Sequence, residues 1–240
     1  MNKIKLENIK LSYFKTPALT IDKLEFFKVG VIGASGAGKT NLIKILSGLE
    51  EIDSGNIFIG DKEIGAIKSK NREISLLSSS TPLFINKSVY FNLSYPLRKR
   101  GIKKSEVEKK IIEISSEFEL TELDRKVKDL FEKEKIRVMI ARAFVKDIKL
   151  LLVDEPITFI DDVDYFYEIL SKMCDNHMFS AVFCTYDYDA IKDLVDKIII
   201  LNQGKIIFEG SDDSLKNCTD EYIRALCFLS KEEIYEYIRD

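Results

Sequence analysis

The most informative segment of the chain is Gly33-Ala34-Ser35-Gly36-Ala37-Gly38-Lys39-Thr40. It fits the pattern G-x-x-x-x-G-K-[ST], in which glycines let backbone N–H groups turn toward a phosphate without a side-chain clash. Residues 29–32 before it have the apolar character of a short buried strand, and residues 41–49 after it carry apolar side chains at helical spacing. A strand, a glycine loop and a helix in this order predict a phosphate-binding loop.

The last two residues of this loop have side chains suited to nucleotide chemistry. Lys39 is expected to reach the β- and γ-phosphates, and the Thr40 hydroxyl is expected to bind Mg²⁺. The helix that follows adds the positive end of its dipole. The alternative is a glycine-rich turn with a chance Lys-Thr pair, but the flanking strand and helix favour phosphate binding.

A second motif supplies carboxylates. Residues 150–153 form an apolar run that ends in Asp154 and Glu155, followed by Pro156. Asp154 is expected to hold Mg²⁺ directly or through water, and Glu155 to orient or deprotonate the attacking water. An ordinary acidic strand end is the alternative. The guanine-reading pattern [NT]-K-x-D is missing, since residues 86–89 lack the aspartate, so ATP is favoured over GTP.

The amino-acid composition argues against several classes of protein and of metal site. The 240 residues carry a formal net charge of -3, which argues against a mainly electrostatic nucleic-acid binder. The single histidine, His177, excludes two-histidine metal sites and is expected to be a surface residue. The four cysteines form no C-x-x-C pair and are expected to be reduced. No glycine occurs between Gly101 and Gly204, so no glycine-dependent loop is expected there.

The apolar runs are short and there is no signal-peptide core, so the chain is not expected to cross a membrane. No large regulatory domain is expected at the C-terminus, where residues 221–239 predict one or two short helices.

Strands and helices alternate along the rest of the chain, which predicts a parallel α/β sheet. The predicted strands cover residues 3–13, 29–32, 56–59, 150–153, 181–184 and 198–201. The predicted helices cover residues 41–49, 133–145, 162–174 and 187–195, with a further helix that starts at a capping box over 105–108. We expect a single ATP-binding domain over 1–240, with a core and β-subdomain at about 1–80 and 146–240 and a helical subdomain at about 81–145.

With these motifs in view, the chain resembles the ATP-binding subunit of ABC transporters along nearly its whole length. Residues 41–60, 137–143 and 196–210 are similar to family segments, and residues 89–101 are similar to a segment of sugar, polyamine and iron importers. The resemblance implies a RecA-like P-loop core with an antiparallel β-subdomain and an inserted helical subdomain. It also implies a head-to-tail dimer with ATP between the subunits.

The resemblance adds one residue to the nucleotide site. Tyr13 falls where the family keeps an aromatic ring that stacks on adenine, although it can equally be a strand-end tyrosine with no ligand. The residues expected to hold ATP are then Tyr13, Gly33, Ser35, Gly36, Ala37, Gly38, Lys39, Thr40 and Asn41, with Thr40 and Asp154 for Mg²⁺ and Glu155 for hydrolysis.

The family's L-S-G-G-Q signature is altered in this chain, where its positions read Leu130-Phe131-Glu132-Lys133-Glu134. In the family, the serine and the glycine backbones cap the γ-phosphate bound by the opposite subunit. Phe131 removes the hydroxyl group, and Glu132 and Glu134 place negative charge near a triphosphate, of which Lys133 can offset one.

Two further motifs of the family are lost and one is altered. The Q-loop glutamine falls on Ser79, which is shorter. The switch histidine falls on Tyr186, which is not cationic near pH 7. The D-loop reads Thr158-Phe159-Ile160-Asp161 and keeps its aspartate.

The mixture of kept and altered motifs predicts an ATP-binding importer subunit with weak hydrolysis. The expected partners are a membrane permease and a second ABC ATPase subunit, with a heterodimer favoured and a homodimer as the alternative. The expected location is the inner face of the cell membrane, through the permease. Tyr90, Phe91 and Tyr95 are expected to cradle a permease helix, or else to form core of the helical subdomain. The alternatives are a regulatory ATP switch outside transport and a catalytically dead structural subunit.

Overall fold

The computed structural model describes residues 1–154 and 160–229. These residues form two compact units. The first unit covers 1–74, 149–154 and 178–229, and the second covers 75–148 and 160–177.

The described elements alternate between strands and helices. In chain order they are β1 (Ile4–Tyr13), β2 (Thr16–Phe26), β3 (Lys28–Ile32), α1 (Lys39–Ser47), β4 (Ser54–Ile59), β5 (Lys62–Glu63), β6 (Ile74–Ser78), α2 (Val89–Lys99), α3 (Lys104–Glu117), α4 (Glu132–Phe144), β7 (Leu150–Asp154), α5 (Val163–Asn176), β8 (Ser180–Cys184), α6 (Tyr188–Ile191), β9 (Lys197–Asn202), β10 (Lys205–Gly210), α7 (Asp212–Lys216) and α8 (Glu221–Phe228).

The first unit is built on a mixed sheet whose strands lie in the order β5-β4-β1-β2-β10-β9-β3-β8-β7. At one end, β3 pairs in parallel with β8 and β9, and β7 pairs in parallel with β8. At the other end, β1 pairs antiparallel with β2 and β4. The predicted α/β class, with a parallel core and an antiparallel β-subdomain, is confirmed.

The sequence pattern of each strand agrees with its place in the sheet. The parallel strands β7, β8 and β9 are continuous apolar runs whose inner residues are almost fully buried, as expected of strands covered on both faces. β1 instead alternates buried and exposed residues, as expected of a half-covered antiparallel strand. This core fixes the ends of β3, β7 and β8, at or next to which the described residues of the candidate site lie.

A buried arginine closes the C-terminal end of α1. The Arg72 guanidinium is 4% exposed and donates to the carbonyl oxygens of Ile45 and Leu46, each at 2.7 Å. It also donates to the carbonyl oxygen of Gly65 at 2.9 Å. Because a cation complements the negative end of a helix dipole, Arg72 holds the helix that follows the phosphate loop.

The second unit is mainly helical. In it α2 packs against α3 and α4, and α4 packs against α5. Ser88 caps α2 by accepting a hydrogen bond from the Phe91 N–H at 3.1 Å. The fully buried Asn92 side chain accepts from the Phe84 N–H at 2.8 Å and so fixes the segment before α2.

Two predicted helix boundaries are wrong. The capping box over 105–108 does not start α3, because the N-cap residue is Lys103, which places Ser105 inside the helix. The helix predicted over 187–195 is α6, which ends at Ile191.

Left-handed backbone also occurs where glycine is missing. Glu119 has φ 52° and Gln203 has φ 46°, so the chain makes such turns between Gly101 and Gly204 without glycine.

Among the described residues, no helix has the length and apolar character needed to span a membrane.

Candidate nucleotide-binding site

The loop between β3 and α1 has the backbone of a phosphate cradle. Gly36 has φ 79° and Gly38 has φ 108°, both in the left-handed region that favours glycine. The loop is held by a hydrogen bond from the Ala37 N–H to the Ala34 carbonyl oxygen at 3.1 Å. Gly38 is the N-cap of α1, offers no capping side chain, and the first turn of α1 holds no acidic residue. The N–H groups at this end are therefore free of competition from a capping carboxylate.

Gly204, in the turn between β9 and β10, supports this loop from the side. Its N–H donates to the Ala37 carbonyl oxygen at 2.9 Å. A Cβ atom at Gly204 would lie 2.5 Å from the Ala18 carbonyl oxygen, so only glycine fits. Sequence reasoning did not assign Gly204 to the site, although the Gln203-Gly204 pair is a turn signal.

Lys39 is almost fully buried in the loop, with 6% of its surface exposed. Its ammonium group donates to the carbonyl oxygen of Gly33, and to that of Ala34 at 3.0 Å. The same group lies 4.1 Å from the centre of the Tyr186 ring. Burial lowers the pKa of Lys39, although Cys184 and Asp154 act in the opposite direction.

The two residues predicted for Mg²⁺ lie side by side. The Thr40 hydroxyl donates to Asp154 Oδ1 at 3.4 Å. Burial raises the pKa of Asp154, and the hydrogen bond from Thr40 partly offsets that rise. A hydroxyl and a carboxylate are the hard oxygen ligands that Mg²⁺ prefers, so the pair fits the ion together with phosphate oxygens. Glu155, predicted to act on the attacking water, lies outside the described residues.

Tyr13 lies at the end of β1 and is 36% exposed. Its hydroxyl is within 3.3 Å of both Asn41 Oδ1, in the first turn of α1, and Glu50 Oε2. Burial, together with the Glu50 carboxylate, raises the pKa of Tyr13. The hydroxyl is therefore tied to the helix that follows the phosphate loop. Glu50 lies within the family-like segment at residues 41–60, but sequence reasoning assigned it no role in the site.

The two remaining loop residues predicted for ATP differ in exposure. Ser35 is exposed at the tip of the loop, whereas Gly33 is buried beneath it. A Cβ atom at Gly33 would lie 2.4 Å from the Leu201 carbonyl oxygen, so this position also requires glycine.

The segment predicted to be an altered signature, residues 130–134, lies in the second unit, at the start of α4. Phe131 is the N-cap residue and is 76% exposed. Its N–H donates to Glu134 Oε2 at 2.8 Å. Glu132 forms an ion pair with Lys135 at 3.6 Å, and the Lys133 ammonium lies 3.5 Å from Asp162 Oδ2. The N-terminal end of α4 is therefore capped by the chain's own carboxylate.

Two other positions of the second unit that were predicted to be altered, Ser79 and Asp161, lie at its surface. Ser79 is exposed in the turn after β6, and Asp161 is exposed before α5. Of the remaining D-loop positions, Thr158 and Phe159 lie outside the described residues. His177 lies at the end of α5, where its ring contacts the Glu117 carboxylate and lies 5.9 Å from the Phe144 ring.

Comparison with known proteins gives a family. The family model described as ABC transporter matches residues 18–158. The spermidine/putrescine import ATP-binding protein PotA of Aggregatibacter actinomycetemcomitans is 31% identical over 219 residues, which is 87% of this chain and 58% of the relative. The sn-glycerol-3-phosphate import ATP-binding protein UgpC of Vibrio vulnificus (strain YJ016) is 32% identical over 191 residues, which is 78% of this chain and 51% of the relative.

Solved structures with the same fold are also ATP-binding cassettes. A nucleotide-free ATP-binding cassette from an ABC transporter has a TM-score of 0.80 at 21% identity, and covers 94% of this chain and 98% of that chain. A dimeric cassette in a post-hydrolysis state bound to ADP and Pi has a TM-score of 0.70 at 21% identity, over 87% of this chain and 98% of that chain.

The fold and the site define a P-loop nucleotide-binding cassette. The chain belongs to the ABC transporter family, because the family model matches more than half of its residues. The chain spans 58% or less of the length of the two curated relatives described above.

Proposed function

We propose that the chain is the ATP-binding subunit of an importer-type ABC transporter, and that it binds Mg-ATP but hydrolyses it slowly. One observation carries this proposal. The phosphate loop keeps Lys39 and the Thr40–Asp154 pair in place, whereas Glu134 caps the helix that carries the altered signature. Both curated relatives named above are import ATP-binding proteins, and this supports the direction of transport.

Slow hydrolysis follows from the groups at the altered positions. Backbone N–H groups at a helix N-terminus stabilise a developing negative charge, and loss of one such donor lowers a rate by about 100- to 1,000-fold. At the start of α4, Glu134 takes up the Phe131 N–H, and Glu132 adds a second negative charge. Tyr186 replaces a histidine that can carry a positive charge.

An asymmetric pair with a second ABC ATPase accommodates these features best. In such a heterodimer, the phosphate loop of this chain uses the partner's intact signature. The partner's nucleotide then meets Phe131–Glu134, which offers a poor cap. In a homodimer both composite sites carry the same altered groups, so both turn over slowly.

The surface before and along α2 supports a membrane permease as the second partner. Phe84 and Tyr95 are 38% and 36% exposed, and their ring centres lie 4.8 Å apart. The Phe91 ring lies 5.5 Å from Phe84 and 6.0 Å from Tyr95. A partly exposed cluster of three aromatic rings is the kind of apolar patch that marks a protein interaction site. We place the permease contact on this cluster.

Nucleotide binding and steady-state turnover of the purified chain test the proposal together. We expect measurable Mg-ATP affinity that is lost in Lys39→Ala, since that change removes the charge that reaches the phosphates. We expect turnover far below about 1 s⁻¹, the lower end of ordinary enzymes. No nucleotide binding would contradict the first half of the proposal, and turnover at ordinary enzyme rates would contradict the second.

A further inference from the structure

We propose that Tyr186 is a positioning residue for Lys39, and that its ring competes with nucleotide phosphates for the lysine ammonium. The contact that carries this inference lies within the first unit, where the ammonium nitrogen is 4.1 Å from the centre of the Tyr186 ring. The inference rests on the proposed binding of ATP, and it concerns how tightly the site holds the phosphates.

The Lys39 ammonium is enclosed by three groups of its own chain. It donates to two carbonyl oxygens of the phosphate loop, at Gly33 and Ala34. The Tyr186 ring lies against it as a third neighbour. An ammonium group has three N–H donors, so these contacts leave little of it free.

The backbone on both sides of Tyr186 is held by hydrogen bonds, so the ring extends from an anchored position. Thr185 is fully buried, and its N–H donates to the Val31 carbonyl oxygen at 3.2 Å, which ties the end of β8 to β3. The Thr185 hydroxyl accepts from the Asp187 N–H at 2.9 Å. The Asp187 carboxylate then caps α6 by accepting from the Ala190 N–H at 3.1 Å. Tyr186 lies between these anchored residues.

The physical effect of the ring follows from its electron distribution. The face of an aromatic ring is negative and attracts a cation, and this attraction is strongest where water is excluded, as at the buried Lys39. A phosphate draws on the same positive charge, so binding must weaken or break the ring contact. A cation–π contact corresponds to about a 2- to 30-fold change in affinity.

Two substitutions at position 186 distinguish the effect of the aromatic ring on nucleotide affinity from the effect of the hydroxyl group. We expect Tyr186→Leu, which removes the aromatic face, to tighten both ATP and ADP by about 2- to 30-fold. We expect Tyr186→Phe, which keeps the face, to bind both nucleotides as the unaltered chain does. Affinities are measured by calorimetry with Mg-ATP and Mg-ADP.

The second unit offers a matched control. There the Lys133 ammonium lies 4.7 Å from the centre of the Tyr165 ring, a contact of the same kind. Tyr165→Leu removes that contact and is expected to leave the affinities for ATP and ADP unchanged. A change equal to that of Tyr186→Leu would show a general effect of losing an aromatic side chain, and would overturn the proposal.

Fluorinated phenylalanines at position 186 test how the negative charge of the ring face, separately from ring packing, affects nucleotide affinity. Each added fluorine weakens the negative face while keeping the shape of the ring, so we expect nucleotide affinity to rise stepwise with fluorine number. Affinity independent of fluorination, or weaker binding by Tyr186→Leu, would overturn the role of the ring. If the unaltered chain bound no nucleotide, the proposed function would fail instead, so the two failures are distinguishable.

Discussion

The N-terminal ends of α1 and α4 share the positive end of a helix dipole, but their first-turn residues differ in charge. α1 starts at Gly38, which has no capping side chain, and its first turn holds no acidic residue. α4 starts at Phe131, and its first turn holds Glu132 and Glu134, the second of which binds the N-cap N–H. Both ends carry the positive pole of a helix dipole, but α1 leaves it open whereas α4 neutralises it.

A helix N-terminus therefore binds an anion only while its N–H groups are not bonded by other groups of the same chain. A capping carboxylate stabilises the helix, takes up one of the N–H donors that a phosphate could use and adds a negative charge that repels it. The first turn of α1 therefore favours anion binding over helix stability, and the first turn of α4 favours helix stability over anion binding. Substitutions that exchange their first turns should exchange these properties.

The largest effect is expected from removing the two glutamates at the start of α4 and restoring the family pattern. The combined change replaces Phe131 by serine, Glu132 and Lys133 by glycine, Glu134 by glutamine and Tyr186 by histidine. We expect ATP turnover of the dimer to rise about 100- to 1,000-fold, because the serine and the glycine N–H groups of one subunit then cap the γ-phosphate bound by the other, and the histidine can carry a positive charge. Phosphate release at saturating Mg-ATP measures the effect.

The same variant without the Tyr186→His change is the control for the contribution of α4. Groups that stabilise one transition state act as a unit, so we expect a smaller rise in turnover from the four signature substitutions alone. Turnover of the full variant that stayed at the level of the unaltered chain would mean that the altered residues at the start of α4 and at position 186 do not limit hydrolysis.

The next effect is expected from closing the end of α1. Asn41 occupies the third position of α1, as Glu134 does in α4, so Asn41→Glu copies the carboxylate. We expect the affinity for Mg-ATP to fall about tenfold, because the carboxylate competes for the N–H groups and repels the phosphates. Calorimetric titration measures the loss.

Asn41→Gln is the matched control, since it has the length of glutamate without its charge. Asn41 Oδ1 lies 3.3 Å from the Tyr13 hydroxyl, and either substitution disturbs that contact. Glutamine can also bond the N-cap N–H, but it adds no negative charge near the phosphates. Equal losses of affinity in both variants would assign the effect to the lost contacts of Asn41 with Tyr13 and Ala18, or to the bonded N–H, and not to the added charge.

The open end was predictable from sequence because it depends on neighbours in the chain. Glycines at fixed spacing between an apolar strand and an apolar helix locate the phosphate loop, and the structure places a loop there with Gly36 and Gly38 in the left-handed region. The acidic first turn of α4 could also be predicted. Its closure could not, because the bond from the Phe131 N–H to Glu134 depends on the N-cap geometry.

Other features depend on residues that are far apart in the chain. The contact between Lys39 and Tyr186 joins the phosphate loop to the end of β8, and no local pattern predicts it. β2 was not predicted, because Pro17 and the exposed pair Asp22-Lys23 interrupt its alternation. Its pairing with β1 is what makes it a strand. The capping box at Ser105 failed because the preceding lysines already begin α3.

The smallest effect is expected on stability, at the closed end of α4. We expect Glu134→Ala to lower the free energy of unfolding by about 1 kcal/mol, because it removes the carboxylate that binds the Phe131 N–H. Glu132→Ala is the control, since Glu132 lies in the same turn and pairs with Lys135 through an exposed contact of lesser value. Urea unfolding followed by circular dichroism compares the two variants.

The same measurement applied to α1 completes the comparison. Asn41→Glu gives that helix the carboxylate that Glu134→Ala removes from α4, so we expect it to raise the free energy of unfolding while it weakens nucleotide binding. A stability gain without a loss of affinity would separate capping from anion binding. Equal stability of Glu134→Ala and Glu132→Ala would show that the α4 end is not held by its capping carboxylate. Either result would contradict the contrast drawn between the N-terminal ends of α1 and α4.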